Sequence, residues 1–202
     1  MERRLTPDEE AAIVDATREL ILDAAGSIRR VTEAETIAAL PAGSEDPQLL
    51  GPREPLAVFG HAVNGVNDEV ALSMLGHLLQ DLPVRIEILG TRMQAHELVA
   101  LVRDRRYSVV CFADLPPSRS SKTRYLVKKL REAIPDVRIA VGRWAPPQLA
   151  DENLHVLRDA GADHVASLLV DSRDYLESLL EMPRGSAVES ANADVSPAPV
   201  SV

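Results

Sequence analysis

The chain has 202 residues, of which 46% are hydrophobic, and its formal net charge is −9 at pH 7. That length and apolar content suit one folded domain with extensions and exclude a wholly disordered chain. The acidic balance argues against nucleic acid as the main partner, because neutralising phosphates needs a basic face. The longest unbroken apolar runs are five residues, against about 20 for a membrane-spanning helix, so no transmembrane segment is predicted.

Residues 1–40 are predicted to form an acidic helical segment. Thr6-Pro7-Asp8-Glu9 combines a capping box with proline at the first helical position. A stripe at helical spacing follows, made of Ile13, Thr17, Leu20 and Ala24. We expect this stripe to dock on the domain itself or on a second protomer, with a homodimer favoured over a monomer. A second box, Thr32–Glu35, opens a short helix that ends before Pro41.

The rest of the chain divides by composition and periodicity. Residues 41–55 are predicted to be a linker, 56–182 an α/β domain, and 183–202 a disordered tail rich in Ser, Ala and Pro. The domain has five β-rich runs: Leu56–Gly60, Val84–Leu89, Ser108–Ala113, Val137–Val141 and His164–Ser167. Helical patterns follow them at Val66–Gln80, Met93–Arg105 (with a Thr91–Gln94 capping box), Ser120–Ile134, Ala150–Ala160 and Ser172–Glu181. This alternation predicts a doubly wound five-stranded parallel sheet of order 2-1-3-4-5.

In such a sheet the ligand crevice lies beyond the C-terminal ends of the first and third strands, where the strand order reverses. The loops over residues 60–69 and 114–121 therefore supply most of the candidate ligand-binding residues. These are His61, Asn64, Gly65, Asn67, Asp68, Asp114, Ser118, Ser120 and Gly142. The first loop has no GxGxxG and the chain has no Walker lysine motif, so no nucleotide cofactor is predicted.

Catalytic chemistry has little support in the sequence. His61, Asp68 and Ser118 can be drawn as a triad, but no GxSxG elbow accompanies them. We interpret His61 as a loop residue that hydrogen-bonds locally. One cysteine, Cys111 in an apolar run, and five scattered histidines give no zinc spacing. The prediction is a non-enzymatic protein without a metal or cofactor, and a small-molecule hydrolase is the weaker alternative.

A basic helix is predicted after the third strand. Its cations are Arg119, Lys122, Arg124, Lys128, Lys129 and Arg131, against the single acid Glu132. A solvated face that offsets the acidic segments is one interpretation. The other is a contact for an anionic ligand, for the acidic N-terminal helix or for the inner membrane surface.

The stretch Pro55–Gly90 resembles the opening of cobalamin-binding domains, whose first loop carries Asp-x-His-x-x-Gly. Gly65 falls at the family's Asp, Asn67 at its cobalt-ligating His and Val70 at its Gly. The family's Ser-x-Leu is replaced by Ala113-Asp114-Leu115, and its Gly-Gly by Gly142-Arg143. The resemblance implies the flavodoxin-like fold, and the replaced residues predict that base-off, His-on cobalamin is not bound.

A second resemblance, over residues 1–182, is to the cytoplasmic C-terminal domain of permeases of the autoinducer-2 exporter family. It is carried by Ala113–Pro117, Thr123–Arg131 and Val141–Trp144. It implies a non-enzymatic regulatory or scaffolding domain whose partner is a membrane permease or another cytoplasmic protein. A cytoplasmic location, or one at the cytoplasmic face of a membrane, is expected.

A degenerate phosphorylation receiver is the runner-up. Gly161–Ser167 is similar to the end of the fifth strand in receivers, and Asp114 lies near the strand that carries their acceptor. The first loop has no acidic pair at its start to hold Mg²⁺, and Ser167 stands at the usual lysine position. A stand-alone regulator that senses cobalamin or another small ligand is a further alternative.

Overall fold

The computed structural model describes residues 6, 8–9, 11–21, 23–24, 54–90, 93–145 and 154–181. Residues 8–9, 11–21 and 23–24 are helical and are called α1. The strands are β1 (Leu56–Ala62), β2 (Val84–Leu89), β3 (Val109–Ala113), β4 (Arg138–Gly142) and β5 (His164–Ala166). The helices that follow them are α2 (Val66–Leu78), α3 (Ala95–Asp104), α4 (Ser121–Ala133), α5 (Leu154–Asp159) and α6 (Leu169–Glu181).

The five strands form one parallel sheet in the order β2-β1-β3-β4-β5. Val58 of β1 pairs with Val109 of β3, and Ala113 at the end of β3 pairs with Gly142 at the end of β4. The strand order therefore reverses between β1 and β3. This is the predicted flavodoxin-like α/β architecture, and the prediction is confirmed.

Both faces of the sheet are covered, which is why its strands are nearly continuous apolar runs rather than alternating ones. One face packs against α3, α4 and α5, with Leu98, Leu130 and Leu157 fully or almost fully buried. The other face packs against α2 and α6, with Leu75 and Leu176 completely buried. The two layers hold the ends of β1, β3 and β4 at one edge, where the candidate site lies.

Several predicted boundaries differ from the structure. β1 continues two residues past Gly60, because His61 and Ala62 pair with the end of β3. α6 begins at Leu169, three residues before its predicted start. α3 begins after Gln94, whose backbone N–H donates to Glu97 at 2.7 Å. The predicted Thr91–Gln94 box begins at a residue outside the described ones.

At the N-terminus the predicted capping box is confirmed. The Thr6 N–H donates to Glu9 at 2.8 Å, and the Glu9 N–H donates to the Thr6 hydroxyl at 3.3 Å. The predicted second helix, nearly all of the predicted linker and the predicted tail lie outside the described residues. Among the described helices, none is both long and apolar enough to cross a membrane.

Candidate functional site

Asp114 is the centre of a polar network at the C-terminal edge of the sheet. It follows β3 directly and is completely buried. The Asn64 side-chain amide donates to its Oδ1 at 2.7 Å, and the Ser118 hydroxyl donates to the same oxygen. The Thr123 hydroxyl, from the first turn of α4, donates to Oδ2. Three neutral donors from two loops and a helix therefore converge on one carboxylate.

Arg143, the residue after β4, completes this network with a charge. Its Nη1 lies 3.0 Å from Asp114 Oδ1, and the two side chains are 3% and 0% exposed. The guanidinium also donates to the Asp114 carbonyl at 2.8 Å and to the Ser118 carbonyl at 3.0 Å. A buried ion pair persists only when hydrogen bonds satisfy its remaining atoms, and these bonds supply much of that requirement. The pair joins the C-terminal ends of β3 and β4, next to the point where the strand order reverses.

Asp68, in the first turn of α2, ties the two crevice loops together. Its Oδ2 accepts the Asn64 N–H at 2.8 Å, and its Oδ1 accepts the Leu115 N–H at 3.1 Å. Burial raises the pKa of the Asp68 carboxyl, and the two backbone N–H bonds oppose that rise. Lys122 of α4 donates to the Val63 carbonyl, which adds a third tie to the loop after β1.

A cavity of about 620 Å³ lies beside the network, between the two loops and α1. Val14 and Arg18 line it from α1, and Gly65 and Asn67 line it from the β1–α2 loop and the start of α2. The Arg18 guanidinium lies 3.8 Å from Glu69, which places α1 over this edge. Gly65 faces open space, since a Cβ added there would have nothing within 4 Å.

The interpretation of His61 as a loop residue with local hydrogen bonds is wrong. His61 lies within β1, is completely buried, and packs between the rings of Phe59 and Phe112 at centroid distances of 6.1 and 5.9 Å. In the described part of the chain, neither ring nitrogen makes a hydrogen bond of normal geometry, although the Leu89 backbone lies close enough to oppose part of the pKa shift. Burial, followed by the charge of Lys122, lowers the pKa of His61 to about 4. β1 runs past Gly60 and carries the side chain into the core.

The structure brings some of the predicted site residues together and not others. Asn64, Asp68, Asp114 and Ser118 are joined by hydrogen bonds, and Gly65 and Asn67 line the adjacent cavity. Ser120 is the N-cap residue of α4, and its side chain makes no capping hydrogen bond. The drawn His61–Asp68–Ser118 triad is not assembled, because Asp68 and Ser118 bond within the network and the His61 nitrogens bond to neither of them.

Gly142 serves packing rather than ligand approach. A Cβ on Gly142 would lie 2.2 Å from the indole ring of Trp144. That ring is buried, and its N–H donates to the Ser172 hydroxyl at 2.9 Å. The absence of a side chain at 142 therefore makes room for Trp144 across the end of β4.

Two central members of the network, Arg143 and Thr123, were not among the predicted site residues. Both lie in stretches that carry the permease resemblance, and Arg143 also replaces a family glycine, but neither observation indicates a buried polar network. The signal that points to Arg143 is its position: a cation directly after a strand, at the same sheet edge as an acid directly after the neighbouring strand. No group of three His, Cys, Asp or Glu side chains suited to a metal ion occurs among the described residues.

No family model matches this chain, and no curated protein matches it either. Its backbone is similar to a cobalamin-binding protein from Desulfitobacterium hafniense, at 17% identity and a TM-score of 0.44. That match covers 60% of this chain and 57% of the other, so this chain spans little more than half of that protein's length.

Receiver-like structures are similar to the same degree. A CheY-like protein from Pseudomonas aeruginosa is 14% identical, with a TM-score of 0.46 over 67% of this chain and 98% of its own. A CheY-like receiver domain protein from Methanospirillum hungatei is 20% identical, with a TM-score of 0.44 over 62% of this chain and 92% of its own. What the crevice does therefore has to be derived from its own residues.

Proposed function

We propose that this domain is a non-enzymatic regulatory or scaffolding module that acts by binding partner proteins. The observation that supports this most directly is the buried Asp114–Arg143 ion pair. A ligand that inserted between the ends of β3 and β4 would have to separate the pair, and a buried charge left without its partner costs about 3–5 kcal/mol. A sheet end filled there by its own side chains suits a domain whose outer surfaces do the binding.

Base-off, His-on cobalamin does not fit these residues. That mode needs an imidazole on cobalt with a carboxylate behind it, and Asn67 and Gly65 stand at those positions. The nucleotide tail would have to pass the second glycine position, where the Arg143 side chain is buried against Asp114. The Trp144 ring covers the remaining glycine, Gly142. The module is therefore proposed to work without cobalamin.

A receiver-like signalling domain is the second candidate, because Asp114 follows the third strand and faces a cation. In this form Arg143 supplies the positive charge that a metal ion supplies in an active receiver, and it does so permanently. Phosphoryl transfer without a metal or a lysine loses most of its charge stabilisation. The domain would then be held in a single signalling state rather than switched by phosphate.

We propose further that the partner is a membrane permease or another cytoplasmic protein, as the resemblance to permease cytoplasmic domains implies. The location that goes with it is the cytoplasm or the cytoplasmic face of a membrane. The support is the sequence similarity over residues 1–182 together with the filled sheet end.

Cobalamin titration tests the filled sheet end. Purified protein is titrated with hydroxocobalamin while the visible spectrum and co-elution are followed, and no complex is expected. A stoichiometric complex of micromolar or tighter affinity that is lost in Asn67→Ala, but kept in the surface variant Asp159→Asn, would overturn the proposal.

Phosphorylation tests the second candidate against the first. The protein is incubated with Mg²⁺ and acetyl phosphate, and its intact mass is measured. No phosphoryl adduct is expected on the parent chain. An adduct that disappears in Asp114→Asn and remains in Asp159→Asn would establish a working receiver.

A further inference from the structure

Helix α1 has two faces, and its own domain covers only one of them. Val14, Thr17 and Ile21 are half-buried, and Val14 lines the cavity over the crevice. Ile13 and Leu20, on the neighbouring face, are 51% and 69% exposed. Two large aliphatic side chains two turns apart thus form an outer stripe that points away from the domain.

The surroundings of that stripe are acidic. Among the described residues of α1, Asp8, Glu9, Asp15, Glu19 and Asp23 are exposed acids, and Arg18 is the one Lys or Arg. At 3.6 residues per turn, Glu19 and Asp23 lie along one edge of the Ile13–Leu20 stripe. Arg18 lies 3.6 Å from Asp15 and 3.8 Å from Glu69 of α2, so it offsets Asp15 but not Glu19 or Asp23.

A complementary surface lies on the other side of the fold. A groove of about 780 Å³ runs between α3 and α4, with Met93, Ala95, Val99 and Leu126 among its apolar lining. The Tyr125 ring, 55% exposed, stands on its α4 side. Lys122 and Lys129 of α4 form its basic rim, which also holds one acid, Glu132, 2.9 Å from Lys129. Further exposed cations on and before α4 lie outside the groove: Arg119, Arg124 and Lys128. The groove thus offers apolar contact on a basic helix, and the outer face of α1 offers the reverse charge.

We propose that α1 of one copy docks its Ile13–Leu20 stripe into the α3–α4 groove of a second copy, and that the exchange is reciprocal. The occupant is a second copy because α1 already rests by its inner face on its own crevice edge, which leaves the outer stripe facing outward. A two-fold arrangement buries two stripes in two grooves, so each contact is made twice. The inference rests on the proposed function, since it names the partner and surface of a binding module.

The apolar stripe and the charges have different roles in this contact. Burial of Ile13 and Leu20 supplies most of the affinity, because their exposed surface leaves water on docking. The acidic edge and the basic rim set orientation and association rate, and salt screens them. The dimer is therefore expected to weaken, but not to vanish, as the salt concentration rises.

Sedimentation velocity on the full chain over a range of concentrations tests the proposal. The parent chain should form a dimer, and Ile13→Ser with Leu20→Ser should raise its dissociation constant at least about 100-fold. Tyr125→Ser and Lys129→Glu should each raise it about 10-fold. Arg85→Glu, an exposed cation on β2 and the matched control, should leave it unchanged.

Charge exchange gives the decisive result. Glu19→Lys with Asp23→Lys should weaken the dimer, and combining this pair with Lys129→Glu should restore part of the lost affinity. A parent chain that stays monomeric, or a dimer that the α4 variants leave intact, overturns the inference. Circular dichroism of every variant confirms that a lost dimer is not a lost fold. If the parent chain is monomeric but forms no hydroxocobalamin complex and no phosphoryl adduct, the dimer is refuted and the proposed function is not.

Discussion

Replacing Arg143 by methionine should be strongly destabilising, because it leaves a charge buried without its partner. Asp114 is completely buried, and its Oδ1 lies 3.0 Å from the guanidinium. The variant also removes the bonds to the Asp114 and Ser118 carbonyls at 2.8 and 3.0 Å. Breaking a buried pair from one side costs about 3–5 kcal/mol, so Arg143→Met should lose that much free energy of unfolding.

Urea unfolding followed by the fluorescence of Trp144, the chain's one tryptophan, measures this loss. The informative variant combines Arg143→Met with Asp114→Asn, which removes both charges and keeps a side-chain oxygen for Ser118. It should be more stable than Arg143→Met alone, since no charge is then buried unpaired. Arg85→Met, at an exposed position, should stay within about 0.5 kcal/mol of the parent. A loss below about 1 kcal/mol in Arg143→Met, or a double variant as unstable as the summed singles, would refute the reasoning.

Three further outcomes are expected. Burial lowers the pKa of His61 to about 4, so between pH 6.5 and 4 the unfolded chain binds more protons than the folded one. The free energy of unfolding should therefore fall by up to about 3 kcal/mol as the pH drops through that range. Urea unfolding at several pH values measures this slope, and His61→Leu should flatten it. Gly142→Ala should cost about 1–3 kcal/mol and shift Trp144 fluorescence, because the new Cβ meets the indole ring, whereas Gly65→Ala, with open space, should be nearly neutral. Cys111 is buried, with its thiol pKa raised to about 12, so a thiol reagent should label it only on unfolding; rapid labelling under native conditions would contradict the burial.

The strand order could be predicted because each strand has a strong local signal. The run Val109–Ala113 is apolar throughout, as a strand covered on both faces must be, and helical patterns lie between the strands. The start of α1 could also be predicted from the sequence, because a Thr6–Glu9 capping box involves only residues three positions apart. Short-range chemistry therefore accounts for most of the fold.

The candidate site depended on contacts that no local pattern encodes. The Asp114–Arg143 pair joins residues on different loops, and it forms only because β3 and β4 are neighbours that end at the same edge. His61 was misplaced because Gly60 resembles the end of a strand, whereas pairing with β3 carries β1 two residues further. The structure places Asn64, Asp68, Asp114 and Ser118 in one network, and ligand binding by these residues stays a prediction.

The network at the end of the sheet also bears on where the chain tolerates insertion. In most α/β domains the loops after the strands vary freely, and those before the strands are kept short for stability. Here Asp68 fastens the loop after β1 to the segment after β3, and Arg143 fastens that segment to the end of β4. A peptide tag inserted into these loops would break the hydrogen bonds that join the three segments. At the opposite end of the strands, the exposed Gln80–Asp81 step is the better place for a label or a fused domain.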